Sequence, residues 1–230
     1  MVVFGGECFH DLDDLWLFNL NTNEWTEVPM GKEQLRPRAR KFASSFKKDN
    51  KMYVIGGCHD KYESYDDGFQ LDLSLFFTTK DTKDISWKEM KLSQPQLIQR
   101  WGQVSAVANN KAYVFGGRFI NKDLENLVEI DLETGECQEL NLRWPLLKGR
   151  RKAAFCIQNN TMFCHSGFDG SYLQDFLHIT VIPKPAFSQP PSPEQSFFQP
   201  EEPSALPLEL SSLPSELGAL ESTVLSIQLQ

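Results

Sequence analysis

Long apolar runs are missing from this 230-residue chain. No stretch approaches the roughly 18 consecutive apolar residues that a membrane span requires. The opening MVVFGGECFH has neither the basic n-region nor the apolar h-region of a secretory signal. A soluble, cytoplasmic protein is the expectation. Positive charge is scarce as well: 23 Lys and Arg face 31 Asp and Glu, a net charge of −8. That balance argues against a whole-chain field for nucleic-acid phosphates. Cysteine is sparse and odd in number, 5 in all, which speaks against a disulfide framework and for a reducing compartment. The four histidines, at 10, 59, 165 and 178, are scattered, and no CxxC or HxxxH pair supplies metal-ligand spacing.

Proline is thin in the first 182 residues and dense beyond them, where nine of the 13 lie in 183–230 with six acidic residues and one basic. That stretch carries −5 of the net charge and residues 1–182 only −3. The chain therefore divides into a nearly balanced globular part and an acidic Pro/Ser/Leu-rich tail.

Within the globular part a segment recurs. RKFASSFKKDNKMYVIGG at 40–57, RWGQVSAVANNKAYVFGG at 100–117 and RRKAAFCIQNNTMFCHSG at 150–167 align without gaps. Arg40, Arg100 and Arg150 hold one position in the unit, which suggests a structural contact. Each copy reads as a β-hairpin around a two-residue turn, Asp49-Asn50, Asn109-Asn110 or Asn159-Asn160, where the side chains tolerate positive φ. A third strand follows in DLWLFNL (14–20), GFQLDL (68–73), NLVEIDL (126–132) and DFLHITV (175–181). NTNEW and ETGEC then place Asn23 and Gly135 at a left-handed turn position before a fourth strand starting at Trp25 or Cys137. The second copy reaches Trp87 only after the insertion LSLFFTTKDTKDIS.

Four strands per unit and a period of 50–60 residues match a propeller blade. The diglycines, the strand after each and the closing tryptophan resemble the kelch repeat over residues 1–182. The resemblance implies an all-β, kelch-type β-propeller of about three and a half four-stranded blades: 1–28 (partial), 40–91, 100–142 and 150–182 (partial). Gly5, Gly6, Gly56, Gly57, Gly116, Gly117 and Gly167 become turn residues. Trp16, Trp25, Trp87 and Trp101 become filling between sheets. Ser166 replaces a glycine of the fourth copy and Cys137 the tryptophan of the third. The first blade lacks its first strand and the last its fourth, so the ring is incomplete. A truncated isoform or part of a longer kelch protein is expected, with association through open edges.

Loops after each diglycine and between blades share one face, the expected binding surface. Arg36, Arg38, Arg118, Arg143 and Arg151 are the contact candidates there, suited to carboxylate or phosphate groups of a partner protein. Tyr62, Tyr65, Phe119, Phe168 and Tyr172 are candidate exposed anchors. No catalytic or metal site and no cofactor is assigned. Cys156 and Cys164 share a hairpin, but its register sets Cys156 opposite Phe163 and Cys164 opposite Phe155, on opposite faces. The expected function is a non-enzymatic adaptor or scaffold. The family resemblance implies ubiquitin-ligase, cytoskeletal or trafficking settings. The competing readings are an oxidase, lyase or isomerase working in the central pocket, and a fragment that modulates a longer kelch protein. The tail from Pro183 reads as an extended, disordered chain; for Ser215–Ile227 the alternative to an unstructured terminus is a short helix formed against a partner.

Overall fold

The computed structural model describes residues 1–31, 33–140, 142, 147–159, 161–181 and 224–229. Four sheets follow one another along the chain. The first holds β1 (Val2–Cys8), β2 (His10–Asn19) and β3 (Glu24–Glu27). The second holds β4 (Ser44–Lys48), β5 (Lys51–Ile55), β6 (Gly68–Asp72) and β7 (Ser86–Glu89). The third is built from β8 (Val104–Ala108), β9 (Lys111–Phe115), β12 (Leu127–Asp131) and β13 (Cys137–Leu140). A two-stranded ribbon, β10 (Arg118–Phe119) and β11 (Lys122–Asp123), rises between β9 and β12. The fourth sheet holds β14 (Ala154–Gln158), β15 (Thr161–His165), β16 (Phe176–Val181) and β17 (Val224–Leu229).

The turns form where the side chains permit them. Asp49, Asn109 and Asn159 take φ of 52°, 55° and 50°, and Asn23 and Gly135 take 57° and 78°. Each first hairpin therefore closes in the expected register, Cys156 opposite Phe163 and Phe155 opposite Cys164 included. Gly56 is confined by its neighbours: at φ 61° a Cβ would lie 2.9 Å from the carbonyl oxygens of Ile98 and Arg100. The insertion before β7 folds as a single turn of helix, α1 (Phe76–Thr79), and a 3-10 turn capped by Asp81, whose side chain accepts from the Lys83 amide.

Period-two alternation gives every sheet two apolar faces, and the core lies between sheets. Leu15 of the first sheet packs with Val54, Phe69, Leu71 and Trp87 of the second. Tyr53 and Ile55 on the other face of the second meet Val128 and Ile130 of the third. Tyr113 and Phe115 of the third meet Met162, Leu177 and Ile179 of the fourth. Each of these side chains contributes about 1.5–3 kcal/mol by leaving water. The repeated arginines prove structural: Arg40, Arg100 and Arg150 donate to the carbonyls of Gly56, Gly116 and Ser166 at 2.9, 2.9 and 3.0 Å.

Three expectations change. Trp25 does not fill a space between sheets; it is 51% exposed, because it lies on the face of the first sheet turned away from the second. The last sheet does have a fourth strand, and it comes from the tail: β17 runs parallel to β16, whereas β7 and β13 are antiparallel to their neighbours. β17 replaces the unstructured chain expected over its residues, and with it the last four residues of the alternative short helix over Ser215–Ile227. The register sets Leu225, Ile227 and Leu229 against Leu177, Ile179 and Val181, and Ser226 and Gln228 against His178 and Thr180. That spacing has the period of a strand. The disordered state expected for the rest of the tail falls outside the described residues.

Candidate functional site

At the end of the sheets where the diglycine loops emerge, the main chain repeats one frame. The residue after each repeated arginine bridges to the residue that follows a diglycine or Ser-Gly pair: Lys41 with Cys58, Trp101 with Arg118, Arg151 with Phe168. The amides of Lys41, Trp101 and Arg151 donate to those partners' carbonyls at 2.9, 3.0 and 3.1 Å. The next residues, Phe42, Gly102 and Lys152, turn with positive φ of 55°, 66° and 55°. They lace successive sheets together: the Gly102 amide donates to the Phe42 carbonyl at 2.9 Å and the Lys152 amide to that of Gly102 at 2.7 Å. The frame is constant while the side chains it presents differ, so chemistry can vary without disturbing the sheets.

Those side chains build a continuous series of rings and cations. Lys152 Nζ sits 4.0 Å from the centre of the Phe42 ring, Phe42 packs on Trp101 at 5.6 Å, and Trp101 on Tyr62 at 4.9 Å. The Arg151 guanidinium lies over both Trp101, at 5.5 Å, and Phe168, at 4.7 Å, and Phe168 meets Tyr172 edge-on at 5.2 Å. Cation–π contacts of this kind are worth about 0.5–2 kcal/mol, more as water is excluded. Two adjoining clefts flank the series. One, of about 800 Å³, is walled by Tyr62, Ser64, Gln99, Trp101, Arg118 and Phe119. The other, of about 620 Å³, is walled by Lys152, Phe168, Tyr172 and Leu173. Tyr62, Trp101 and Arg151 belong to both. Loops of the second, third and fourth sheets thus converge on one surface.

Charge on this surface is pinned from below. Asp123 on β11, nine-tenths buried, pairs with Arg118 Nη1 at 3.0 Å and also with Arg151 Nη1. Two guanidiniums share one carboxylate, which leaves that trio one net positive charge, and Lys61, Glu63 and Lys152 also line the clefts. Beside them, Lys41 Nζ sits among Glu7, Asp11 and Asp60 at 2.5, 3.3 and 3.8 Å. The Glu7 hydrogen bond, reinforced by Asp11, holds the Lys41 ammonium well above the ordinary lysine range. Glu7, Asp11 and Asp60 form the one cluster among the described residues with spacing for a metal ion. Lys41 offsets one of the three carboxylate charges, so the group keeps two net negative charges.

Six of the ten sequence-derived contact residues meet here: Tyr62, Arg118, Phe119, Arg151, Phe168 and Tyr172 line the clefts. Arg118 and Arg151 are anchored as much as presented. Arg36 and Arg38 are elsewhere, bound to Asp13 at 2.8 Å and Asp67 at 3.1 Å. Tyr65 is not an exposed anchor: it is 8% exposed, lies under the Arg38 and Arg40 guanidiniums, and donates its hydroxyl to the Ala39 carbonyl. Arg143 falls outside the described residues. Trp101 and Lys152 were missed as site residues. Their signal is in the repeat itself, where aligned positions 41, 101 and 151 carry Lys, Trp and Arg and positions 42, 102 and 152 carry Phe, Gly and Lys on a shared frame.

A family model described as the KLHDC2/KLHL20/DRC7 Kelch-repeats domain matches residues 1–196. The chain belongs to the kelch-repeat family. Kelch-containing relatives include human host cell factor 2, 28% identical over 130 residues, which are 51% of this chain and 16% of that protein. The Caenorhabditis elegans host cell factor homolog hcf-1 is 30% identical over 128 residues, again 51% of this chain and 16% of its own length. The Arabidopsis thaliana tRNA wybutosine-synthesizing protein 2/3/4 is 30% identical over 93 residues, 40% of this chain and 8% of that protein. The match therefore spans less than a fifth of each of these relatives.

This kelch chain keeps three of its thiols inside. Burial pushes Cys58 up to about 11 and Cys164 up to about 12, and it raises Cys137 as well. Thiols so shifted remain protonated at neutral pH and are poor nucleophiles. Among the described residues no helix is long and apolar enough to cross a membrane.

Proposed function

We propose that this kelch domain is a protein-interaction module acting as an adaptor, and that it grips a segment of its partner in the paired clefts. The observation that carries the reading is the convergence of Tyr62, Trp101, Arg151, Phe168 and Tyr172 on one surface. Rigid aromatic rings and arginine are the side chains that dominate protein interfaces, because they offer large contact area at small entropic cost. Tyr62 and Tyr172, 52% and 85% exposed, stand free to be covered, while Trp101 below them is already held in place. The surplus positive charge left by the shared Asp123 favours an acidic partner segment.

Co-purification from cell extract with the wild type, with Tyr62→Ala/Phe168→Ala and with Arg36→Glu/Arg38→Glu tests this. The cleft pair should lose bound partners while keeping the wild-type circular dichroism and melting temperature. The second pair should keep them. The reverse pattern would move the interface to the Arg36–Arg38 segment and end the cleft reading.

A further inference from the structure

Two junctions on the loop face share one frame and carry opposite charge. Between the third and fourth sheets, Arg118 follows Gly116-Gly117 and lies opposite Asp123 across the β10–β11 ribbon, and Asp123 reaches Arg151 of the next sheet. Between the first and second, Glu7 follows Gly5-Gly6 and lies opposite Asp11 across β1–β2, and Asp11 reaches Lys41, which stands in the repeat where Arg151 stands. The first set holds two cations and one carboxylate. The second holds one cation and two carboxylates, and Asp60 from the loop after Gly56-Gly57 adds a third.

The two sets are not equally satisfied. Asp123 pairs with both of its arginines. Asp11, its side chain only 6% exposed, meets the Lys41 ammonium through Oδ1 as an ion pair at 3.3 Å, and its Oδ2 has no partner among the described residues. A carboxylate oxygen taken out of water without a partner is costly, and a group left so marks a place where a water or an ion belongs. One oxygen from each of Glu7, Asp11 and Asp60 lies within 4.8 Å of the others. Like charges so close repel one another, and with Lys41 offsetting one of them a charge of two is left to balance.

We propose that Glu7, Asp11 and Asp60 bind a calcium ion, which competes with the Lys41 ammonium for the three carboxylates. The donors are all oxygen, which suits a hard cation and not zinc. They come from two strands of one sheet and a loop of the next, so no local spacing in the sequence announces them. Calcium, with about six to eight ligands in flexible geometry, accepts such an irregular set more readily than octahedral magnesium does. Glu7 and Asp60, with side chains 50% and 74% exposed, leave room for water to complete the coordination. Lys41 stays charged and weakens the site, which places the affinity with the weakest calcium modules, at about 0.1–1 mM. Asp60 and Tyr62 share one short turn, so the ion ties the β1–β2 hairpin to the loop that brings Tyr62 to the clefts. The ion site stands whether or not those clefts take a partner.

Isothermal titration of the metal-free chain of residues 1–230 with calcium chloride tests this. Terbium luminescence excited through the aromatic side chains gives a second readout, since the Tyr62 ring lies 5.5 Å from Lys41 Nζ. The wild type should bind one calcium ion, and calcium should quench the terbium signal by displacement. Asp60→Asn, at an exposed position, should weaken binding at least about tenfold, and Asp11→Asn should do the same. Lys41→Met removes the competing ammonium and should tighten binding by at least about tenfold. Circular dichroism identical to the wild type qualifies each variant for the comparison. Absence of calcium binding at concentrations about tenfold above the expected range would overturn the proposal. So would an Asp60→Asn chain that binds as tightly as the wild type, or a folded Lys41→Met chain that binds no more tightly. Magnesium displacing terbium as well as calcium does would overturn the calcium assignment.

Discussion

Arg150 and Arg100 occupy the same position in successive repeats, are equally buried, and are not equally served. Arg150 donates to both oxygens of Asp175, at 2.6 and 2.8 Å, and to the carbonyls of Ser166 and Lys148. Arg40 has the same arrangement with Asp67. Arg100 finds Asn126 where the other two find aspartate; it donates to the Asn126 Oδ1 at 2.8 Å and to the carbonyls of Gly116 and Leu97, and its Nε has no partner. Burial then lowers the Arg100 guanidinium to about 10, countered only in part by the more distant Glu139. The comparison separates two jobs that one side chain performs. Tying the end of the second strand needs only N–H donors, and all three arginines do it. Neutralising the buried charge needs a carboxylate, and only two have one.

Asp175→Ala should have the largest effect. It strands the Arg150 charge, 1% exposed, and should cost about 3–5 kcal/mol in urea unfolding. Next comes the pair Arg150→Met and Arg100→Met. The first orphans Asp175 and should cost a similar 3–5 kcal/mol. The second forfeits hydrogen bonds but orphans no charge, and should cost about 1–2 kcal/mol. Equal losses from the two would mean that the carboxylate is not what distinguishes the sites. The smallest effect should come from Asn126→Asp, a gain of about 1 kcal/mol at neutral pH from completing the third pair. Unfolding midpoints of variant and wild type in urea at neutral pH measure the gain.

The repeat was legible because its determinants are local. A turn at Asp49, Asn109 or Asn159 fixes the hairpin register, and the register fixes which face each residue occupies, so Cys156 and Phe163 could be paired from sequence alone. The surface chemistry was only partly legible, because it depends on which loops meet. Tyr62 and Phe168 were found as loop aromatics, but nothing in the local sequence shows that Arg38 and Arg40 cover Tyr65, or that Asp123 holds two arginines from different sheets. Trp101 was assigned to the core by its type, and it is buried; that it also floors both clefts follows from loops around 62, 119 and 168 converging above it. β17 was missed because its partner strand lies far back in the sequence, and an isolated apolar alternation does not name the edge it will join.

That distance has a kinetic consequence. The second and third sheets are completed by strands that follow directly in the chain, so each can close soon after its last residues leave the ribosome. The fourth sheet is finished by residues 224–229, across a much longer loop than those the other sheets close. Closing a longer loop costs more chain entropy before any contact repays it. β17 is therefore set to be the last strand to join the fourth sheet and the first of that sheet to exchange its amide hydrogens in the folded protein.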